Sequence, residues 1–115
     1  TMDNSRWYHQ FSRYAFEYLV EHSTTQLLPL QGCHQALKIL RRYDQANDTE
    51  LFVTLDTFLQ KRQNITHTAD VLNIHRTTLL ARIDRIRTLT RVDLDEYATC
   101  LHLMLSYEIW KRAVK

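Results

Sequence analysis

Only one glycine and one proline occur among the 115 residues of the chain. Glycine interrupts regular structure through its backbone freedom, and proline does so through its fixed φ angle and missing N–H group. A sheet rich in hairpins needs many tight turns, which depend on these residues. Their scarcity favours long helices, and we predict an all-α fold built as a multi-helix bundle.

Apolar side chains recur at helical spacing along most of the chain, and no segment shows a strand pattern. The predicted helices cover residues 7–19, a short segment ending near Asp44, residues 51 to about 62, residues 66–72, residues 76 to about 90, and a final segment after Glu96. The final helix carries apolar stripes on two sides, so we expect it to be sandwiched between other elements.

The first predicted helix carries an unusually aromatic stripe, formed by Trp7, Phe11, Tyr14 and Tyr18. Aromatic side chains serve both protein cores and protein interfaces. The stripe therefore either packs on the rest of the domain or forms a seam with a partner or a second subunit. Residues 23–32 contain the single proline and the single glycine and are predicted to be a loop.

Residues 65–86 predict a short helix, a tight turn and a second, basic helix. The turn comprises residues 73–75, and its apolar Ile74 is expected to plug the core between the two helices. In the second helix, Leu79, Ile83 and Ile86 recur at the spacing of one buried face. This layout is that of a helix-turn-helix, whose second helix enters the DNA major groove.

The distribution of charge supports this interpretation better than the total charge does. The formal net charge is only +2. Residues 61–91, however, contain seven Lys and Arg residues against two Asp residues, which gives +5 for this segment alone. Positive charge concentrated on one segment is the electrostatic footprint of nucleic-acid binding.

The candidate DNA contacts lie at the start of the second helix and along its basic side. The guanidinium of arginine can donate paired hydrogen bonds to phosphate oxygens or to the O6/N7 edge of guanine. The hydroxyl of threonine can form a hydrogen bond with a base or a phosphate. Residues at the start of such a helix reach deepest into the groove, and arginines further along reach phosphates. The expected DNA-binding residues are Thr66, His75, Arg76, Thr77, Thr78, Arg82 and Arg85.

Other classes of function find little support in the sequence. The six histidines and two cysteines show no metal-ligand spacing, and no Gly-rich phosphate loop or nucleophile motif occurs. We therefore expect no metal, no cofactor and no catalytic residue, and hence no enzyme. No apolar run is long enough to span a membrane. Cys33 and Cys100 suggest free thiols in a reducing cytoplasm, with a single disulfide between them left open.

The residue pattern also resembles a known family. The matching positions are Asn64, Ile65, Thr66, Thr68, Ala69, Leu72, Ile74, His75, Arg76, Thr78, Leu79, Arg82, Ile83, Arg85, Ile86, Leu89, Thr90, Asp93 and Leu94. The match extends upstream to Cys33-His34, Tyr43-Asp44 and Thr49-Glu50-Leu51. It extends downstream to Leu101-His102-Leu103 and Leu105-Ser106-Tyr107. This pattern resembles the C-terminal domain of the PucR-type bacterial transcription regulators, which include the purine-catabolism and sugar-diacid regulators.

The resemblance implies a Fis-like helix-turn-helix with a recognition helix at about residues 76–89. It also implies dimers or higher homo-oligomers, activation of catabolic operons, and an effector-binding region N-terminal to this domain that is absent here. Four positions depart from the family pattern. Thr77 stands where Asn is usual, Ala81 where Tyr is frequent, Arg91 where Gly is usual, and Gln35 where Pro is usual.

Two hypotheses follow from the sequence. The first is sequence-specific binding of a double-stranded DNA operator, with residues 33–115 as the helix-turn-helix domain of a cytoplasmic regulator. Residues 1–32 would then form an amphipathic helix and loop that act as a dimer or linker element. The second is a helical protein–protein interaction or oligomerisation module whose helix-turn-helix does not bind DNA.

Overall fold

A computed structural model of the chain describes residues 4–26 and 34–113, with side chains described for residues 10–22 and 34–113. Six helices make up this part of the chain: α1 (Asn4–Gln26), α2 (Gln35–Asn47), α3 (Leu51–Gln60), α4 (Ile65–Leu72), α5 (Arg76–Thr90) and α6 (Tyr97–Ala113). No strand occurs among the described residues. The prediction of an all-α, multi-helix bundle is confirmed.

Helix α3 lies at the centre of the bundle and contacts α2, α4, α5 and α6. One continuous apolar core fills the space between these helices, and it includes Leu37, Leu40, Leu51, Leu55, Phe58, Leu79, Ile83, Ile86, Leu103 and Tyr107. Each fully buried aliphatic side chain of this kind stabilises the fold by about 1.5–3 kcal/mol. The core therefore holds α5 firmly against α2 and α3.

The predicted inward face of α5 is confirmed. Leu79, Ile83 and Ile86 are all buried in the core. Ile74, in the turn before α5, is half-buried and packs against the same core, as expected from its apolar side chain. These four residues fix how α5 is rotated about its own axis.

Three predicted helix ends are wrong. Helix α1 continues to Gln26, through the first four residues of the predicted loop at residues 23–32. In α2 and α3, residues with a left-handed backbone end the helices at positions other than those predicted. Helix α2 continues to Asn47 instead of ending near Asp44, and it stops where Asp48 takes a φ angle of 55°. Helix α3 stops at Gln60, short of residue 62, because Arg62 and Gln63 both have positive φ angles. Non-glycine residues rarely adopt this conformation, so sequence periodicity does not predict these ends.

The side chain of Gln63 fastens the turn between α3 and α4 to the segment before α6. Its Nε2 donates to the carbonyl oxygen of Leu94 at 2.8 Å and lies 3.4 Å from the Sγ of Cys100. The Cys100 thiol donates to the same carbonyl at 3.1 Å, and burial raises the pKa of this thiol. Cys33, the other cysteine, lies outside the described residues.

The first turn of α3 is capped by a side chain from the preceding helix. The carboxylate of Asp44 accepts hydrogen bonds from the Leu51 N–H at 2.8 Å, the Phe52 N–H at 2.9 Å and the Thr49 hydroxyl at 2.6 Å. Glu50, at the N-cap position, makes no capping bond with its own side chain. Asp44 therefore satisfies N–H groups that the helix itself leaves without partners, and it joins α2 to α3.

Helix α6 is less enclosed than predicted. Leu103 and Tyr107, on one predicted stripe, are buried, but Leu101 and Met104, on the other, are exposed. Helices α2 and α3 pack on α6, and α1 contacts it as well, so the described part of both stripes is enclosed by other helices except at these two side chains. The Tyr107 hydroxyl donates to the Phe52 carbonyl at 2.7 Å, and burial raises the pKa of this tyrosine.

The start of α2 is attached to α6 through His34. Its backbone N–H donates to the Ser106 Oγ at 2.8 Å, while its Nδ1 caps α2 by accepting from the Ala36 N–H at 3.0 Å. Burial, and secondarily the neighbouring His102, lower the pKa of His34. The neutral ring required for the cap is therefore favoured in the folded domain.

Helix α1 contacts α6 and no other described helix, and Val20 is buried. Most of its aromatic stripe faces away from the domain. Phe11 is 57% exposed, Tyr14 is 69% exposed and Tyr18 is 51% exposed. The side chain of Trp7 lies outside the described part. Within the single chain, packing on the domain thus accounts for little of this stripe.

The cap on α3 yields a stability prediction. Asp44→Ala removes three hydrogen-bond acceptor contacts at once, and we expect it to lower the free energy of unfolding by about 1–3 kcal/mol. Asp44→Asn keeps one acceptor oxygen and should lose less. Urea denaturation measures both, with the exposed Asp70→Ala as a control expected to stay within about 0.5 kcal/mol of the wild type. Equal stability of Asp44→Ala and the wild type would contradict the cap.

Candidate nucleic-acid interface

The turn between α4 and α5 is built from local hydrogen bonds. Asn64 caps α4 by accepting from the His67 N–H at 2.8 Å. Asn73 ends the helix in the left-handed conformation, with φ at 55°, which asparagine tolerates better than most residues. The Ile74 N–H then donates back to the Ala69 carbonyl at 3.0 Å. The connection between the two helices is therefore short and fixed.

His75 caps α5. Its Nδ1 accepts from the Thr77 N–H at 3.2 Å and lies 2.9 Å from the Thr77 Oγ1. Because Nδ1 acts as an acceptor, the other ring nitrogen, Nε2, carries the proton of the neutral imidazole. His75 is exposed. The sequence predicts His75 only as a DNA contact. The capping role is an additional one, and its signal was a polar residue directly before a predicted helix.

Most of the predicted contact residues are exposed. Arg76, Thr77 and Thr78 occupy the first turn of α5, and Arg85 follows more than two turns later. Thr66 is exposed in the first turn of α4, where backbone N–H groups lack intrahelical acceptors. The structure therefore places these side chains where a ligand can reach them.

Arg82 is placed differently. Its Nη1 donates to the Thr54 Oγ1 at 3.1 Å and lies 3.9 Å from the Glu50 carboxylate, and its side chain is 25% exposed. Thr54 is buried, and its hydroxyl donates in turn to the Glu50 carbonyl at 2.6 Å. The guanidinium of Arg82 thus joins the middle of α5 to the start of α3.

The exposed side of α5 is basic and largely without ion pairs. No ion pair in the described ranges involves Arg76, Arg85 or Arg87, all of which are exposed. Asp84 is the one acidic residue of this helix, and it too is exposed and lacks an ion pair within the described chain. Leu80 is 43% exposed on the same helix.

Leu80 and Asp84 are surface residues of α5 that the sequence-based set of contacts does not contain. That set was chosen by residue chemistry, and it therefore favoured Arg and Thr. Leu80 and Asp84 follow Thr77 by three and seven residues, so all three lie on the same side of the helix. This spacing could have identified both residues as candidate contacts.

Two searches of the described residues bear on other kinds of site. No group of three or more His, Cys, Asp or Glu side chains in residues 4–26 and 34–113 is arranged to hold a metal ion. No helix in these ranges combines the length and the apolar character needed to cross a membrane.

The model of the PucR C-terminal helix-turn-helix domain family matches residues 51–109. The match runs from the first residue of α3 into α6, and it covers more than half of the chain. The chain belongs to the PucR family. The short helix, fixed turn and basic helix at residues 65–90 lie wholly inside the match, so they are the helix-turn-helix of a PucR-type transcription regulator.

A named relative agrees with this assignment. The proline-responsive transcriptional activator PutR of Bacillus subtilis (strain 168) is 33% identical over 76 residues. The aligned segment covers 66% of this chain but only 18% of PutR. The chain therefore spans less than a fifth of the length of this regulator. No solved structure matches the chain.

The position of Arg82 yields a second prediction. If Arg82 holds α5 against α3, Arg82→Ala should lower the free energy of unfolding by about 1–2 kcal/mol, whereas Arg85→Ala should change it by less than about 0.5 kcal/mol. The double variant Arg82→Ala with Thr54→Val should lose less than the sum of the two single variants, because both remove the same bond. Additive losses, or equal losses from Arg82→Ala and Arg85→Ala, would rule out this role.

Proposed function

We propose that the chain binds specific sequences of double-stranded DNA as the C-terminal domain of a bacterial transcription regulator, with α5 in the major groove. The observation that carries this proposal is the two-sided character of α5. One side is buried through Leu79, Ile83 and Ile86, and the other presents exposed arginines without ion pairs. Membership of a family of helix-turn-helix regulators supports the same function.

The proposed contacts divide into base reading and phosphate binding. Arg76 reads a guanine edge from the first turn of α5, where Thr77 and Thr78 also reach bases. Arg85 neutralises a phosphate further along the groove. Thr66 donates to a phosphate together with the free N–H groups at the start of α4.

The two remaining contact residues combine two roles. His75 caps α5 through Nδ1 and has its Nε2–H available for a phosphate or base. Arg82 uses one N–H for Thr54, and the guanidinium has four further donors, which a phosphate on that flank can share. Arg82 is thus proposed both to position α5 and to touch the DNA backbone.

The whole protein is proposed to be a cytoplasmic, non-catalytic regulator that activates transcription in response to an effector. Support comes from the family and from PutR, which its name describes as a proline-responsive activator. Because the matched family domain is a C-terminal one and the aligned segment covers 18% of PutR, the effector is proposed to bind a separate N-terminal region.

The two classes of contact predict two different mutant behaviours. Arg76→Ala should weaken binding to a preferred DNA site by about 1–3 kcal/mol and relax the sequence preference. Arg85→Ala should weaken binding to all sequences alike and lower the salt slope by about one, because one fewer counterion is released. Fluorescence anisotropy on DNA obtained by in-vitro selection, repeated at several salt concentrations, measures both.

Arg42→Ala is the matched control, since Arg42 is an exposed arginine of α2 and lies outside the helix-turn-helix formed by α4 and α5. It should leave the affinity and sequence preference close to those of the wild type. If neither Arg76→Ala nor Arg85→Ala differs from this control on any selected DNA, α5 is not the reading helix.

We also propose that α1 forms a homodimer contact. Its exposed face carries Phe11, Tyr14, Ala15, Tyr18 and Leu19, which line a shallow, mostly apolar groove. Several large exposed apolar side chains in one patch are typical of an interaction surface. A paired domain would also suit DNA, because helix-turn-helix dimers bind two half-sites.

Sedimentation of the chain tests the α1 contact. The wild type should sediment as a dimer at micromolar concentration, and the double variant Phe11→Gln with Tyr14→Gln should shift toward monomer, because it removes two aromatic side chains from the seam. Tyr97→Gln serves as the control, since Tyr97 is an exposed aromatic residue outside α1, at the start of α6. A monomeric wild type would overturn the α1 contact and leave pairing to other parts of the regulator.

A further inference from the structure

Four exposed residues of α5 share one strip of its surface. Thr77, Leu80, Ala81 and Asp84 are all exposed and stand at positions i, i+3, i+4 and i+7. At 3.6 residues per turn, they fall within an arc of about 100°, on the side away from the buried stripe of α5. A helix lying in the major groove presents residues at this same spacing to the base edges. We refer to these four residues as the central strip.

Leu80 and Ala81 allow only one kind of contact with a base pair. Neither side chain has a polar atom, so neither can form a hydrogen bond with a base. The apolar group available on the major-groove edges is the C5-methyl of thymine. The hydroxyl of Thr77 lies 2.9 Å from the His75 Nδ1, which leaves its methyl group to extend the apolar part of the strip.

Asp84 has the opposite chemistry. Its exposed carboxylate accepts hydrogen bonds but donates none, and it makes no ion pair within the described chain. A carboxylate brought between phosphate groups is repelled unless it finds a donor. The donors on the major-groove edges are the amino groups of cytosine and adenine, and acidic side chains pair characteristically with cytosine N4.

The positions along the helix relate these contacts to neighbouring base pairs. Asp84 follows Ala81 by three residues, which is about 4.5 Å along the helix axis. Successive bases of one strand are about 3.4 Å apart. Asp84 therefore reaches a base pair that lies one or two steps from the base pair reached by Ala81.

We infer that the central strip reads a thymine methyl through Leu80 and Ala81 and, within about two base pairs, a cytosine amino group through Asp84. This inference rests on the proposed function, since it assigns base preferences to the face that α5 turns toward DNA. It makes Leu80 and Asp84 determinants of specificity in addition to the arginines and threonines already named.

In-vitro selection with the wild type and with Asp84→Asn tests the part of the inference that concerns Asp84. The wild type should enrich a cytosine at one position, where another base weakens binding by about fivefold to a hundredfold. Asp84→Asn should enrich adenine at that position instead, because asparagine pairs with adenine N6 and N7. Asp70→Asn is the control: it makes the same charge change at an exposed carboxylate of α4, and it should leave the selected base unchanged.

Replacing thymine by uracil in the selected site tests the methyl contact, because uracil lacks only the C5-methyl. At the position that faces Leu80 and Ala81, this replacement should weaken wild-type binding about threefold to fivefold, the value of one buried methyl group. Leu80→Ala should reduce that difference. Circular dichroism of each variant checks that the helices are intact.

The outcomes separate two failures. If selection enriches no sequence and binding does not weaken with salt, the proposed function fails and the inference falls with it. If a site is enriched and binding is salt-dependent, but Asp84→Asn selects the same bases and uracil binds as well as thymine, the inference alone is overturned.

Discussion

Burial of one stripe of α5 is the constraint on which the rest of the domain depends. Leu79, Ile83 and Ile86 are held in the core by α2 and α3, and Ile74 anchors the turn that leads into the helix. A helix fixed on one side has no freedom to rotate, so its opposite side is presented in a constant orientation. Preorganised presentation of this kind is what precise readout of base edges requires.

Polar side chains complete this arrangement by joining helices at their ends. Asp44 links α2 to the first turn of α3, and Arg82 links α5 to the same end of α3. Gln63 fastens the α3–α4 turn to the segment before α6. Each bond joins two different elements, so directional contacts as well as the apolar core hold the framework around the helix-turn-helix.

The sequence predicts the helices and the turn because these follow from local periodicity and capping residues. It does not predict the partners of Asp44 and Arg82, because those depend on tertiary packing; Thr54 and Arg82 are 28 residues apart. For the same reason, residue chemistry alone treats Arg82 and Arg85 as equivalent. Only the position of α3 distinguishes the arginine held against the core from the one exposed to solvent. The ends of α2 and α3 escape prediction because Asp48, Arg62 and Gln63 take left-handed conformations, which hydrophobic periodicity does not reveal.

The central claim is that DNA meets α5 and the start of α4, and not the aromatic face of α1 or the exposed side of α6. Amide chemical-shift mapping by NMR, during titration with DNA obtained by in-vitro selection, tests this most directly. The account predicts that the largest shifts fall at residues 64–67 and 75–88. Shifts concentrated in α1 and α6, with α5 unchanged, would contradict it and favour the alternative of an interaction module that does not read DNA through its helix-turn-helix.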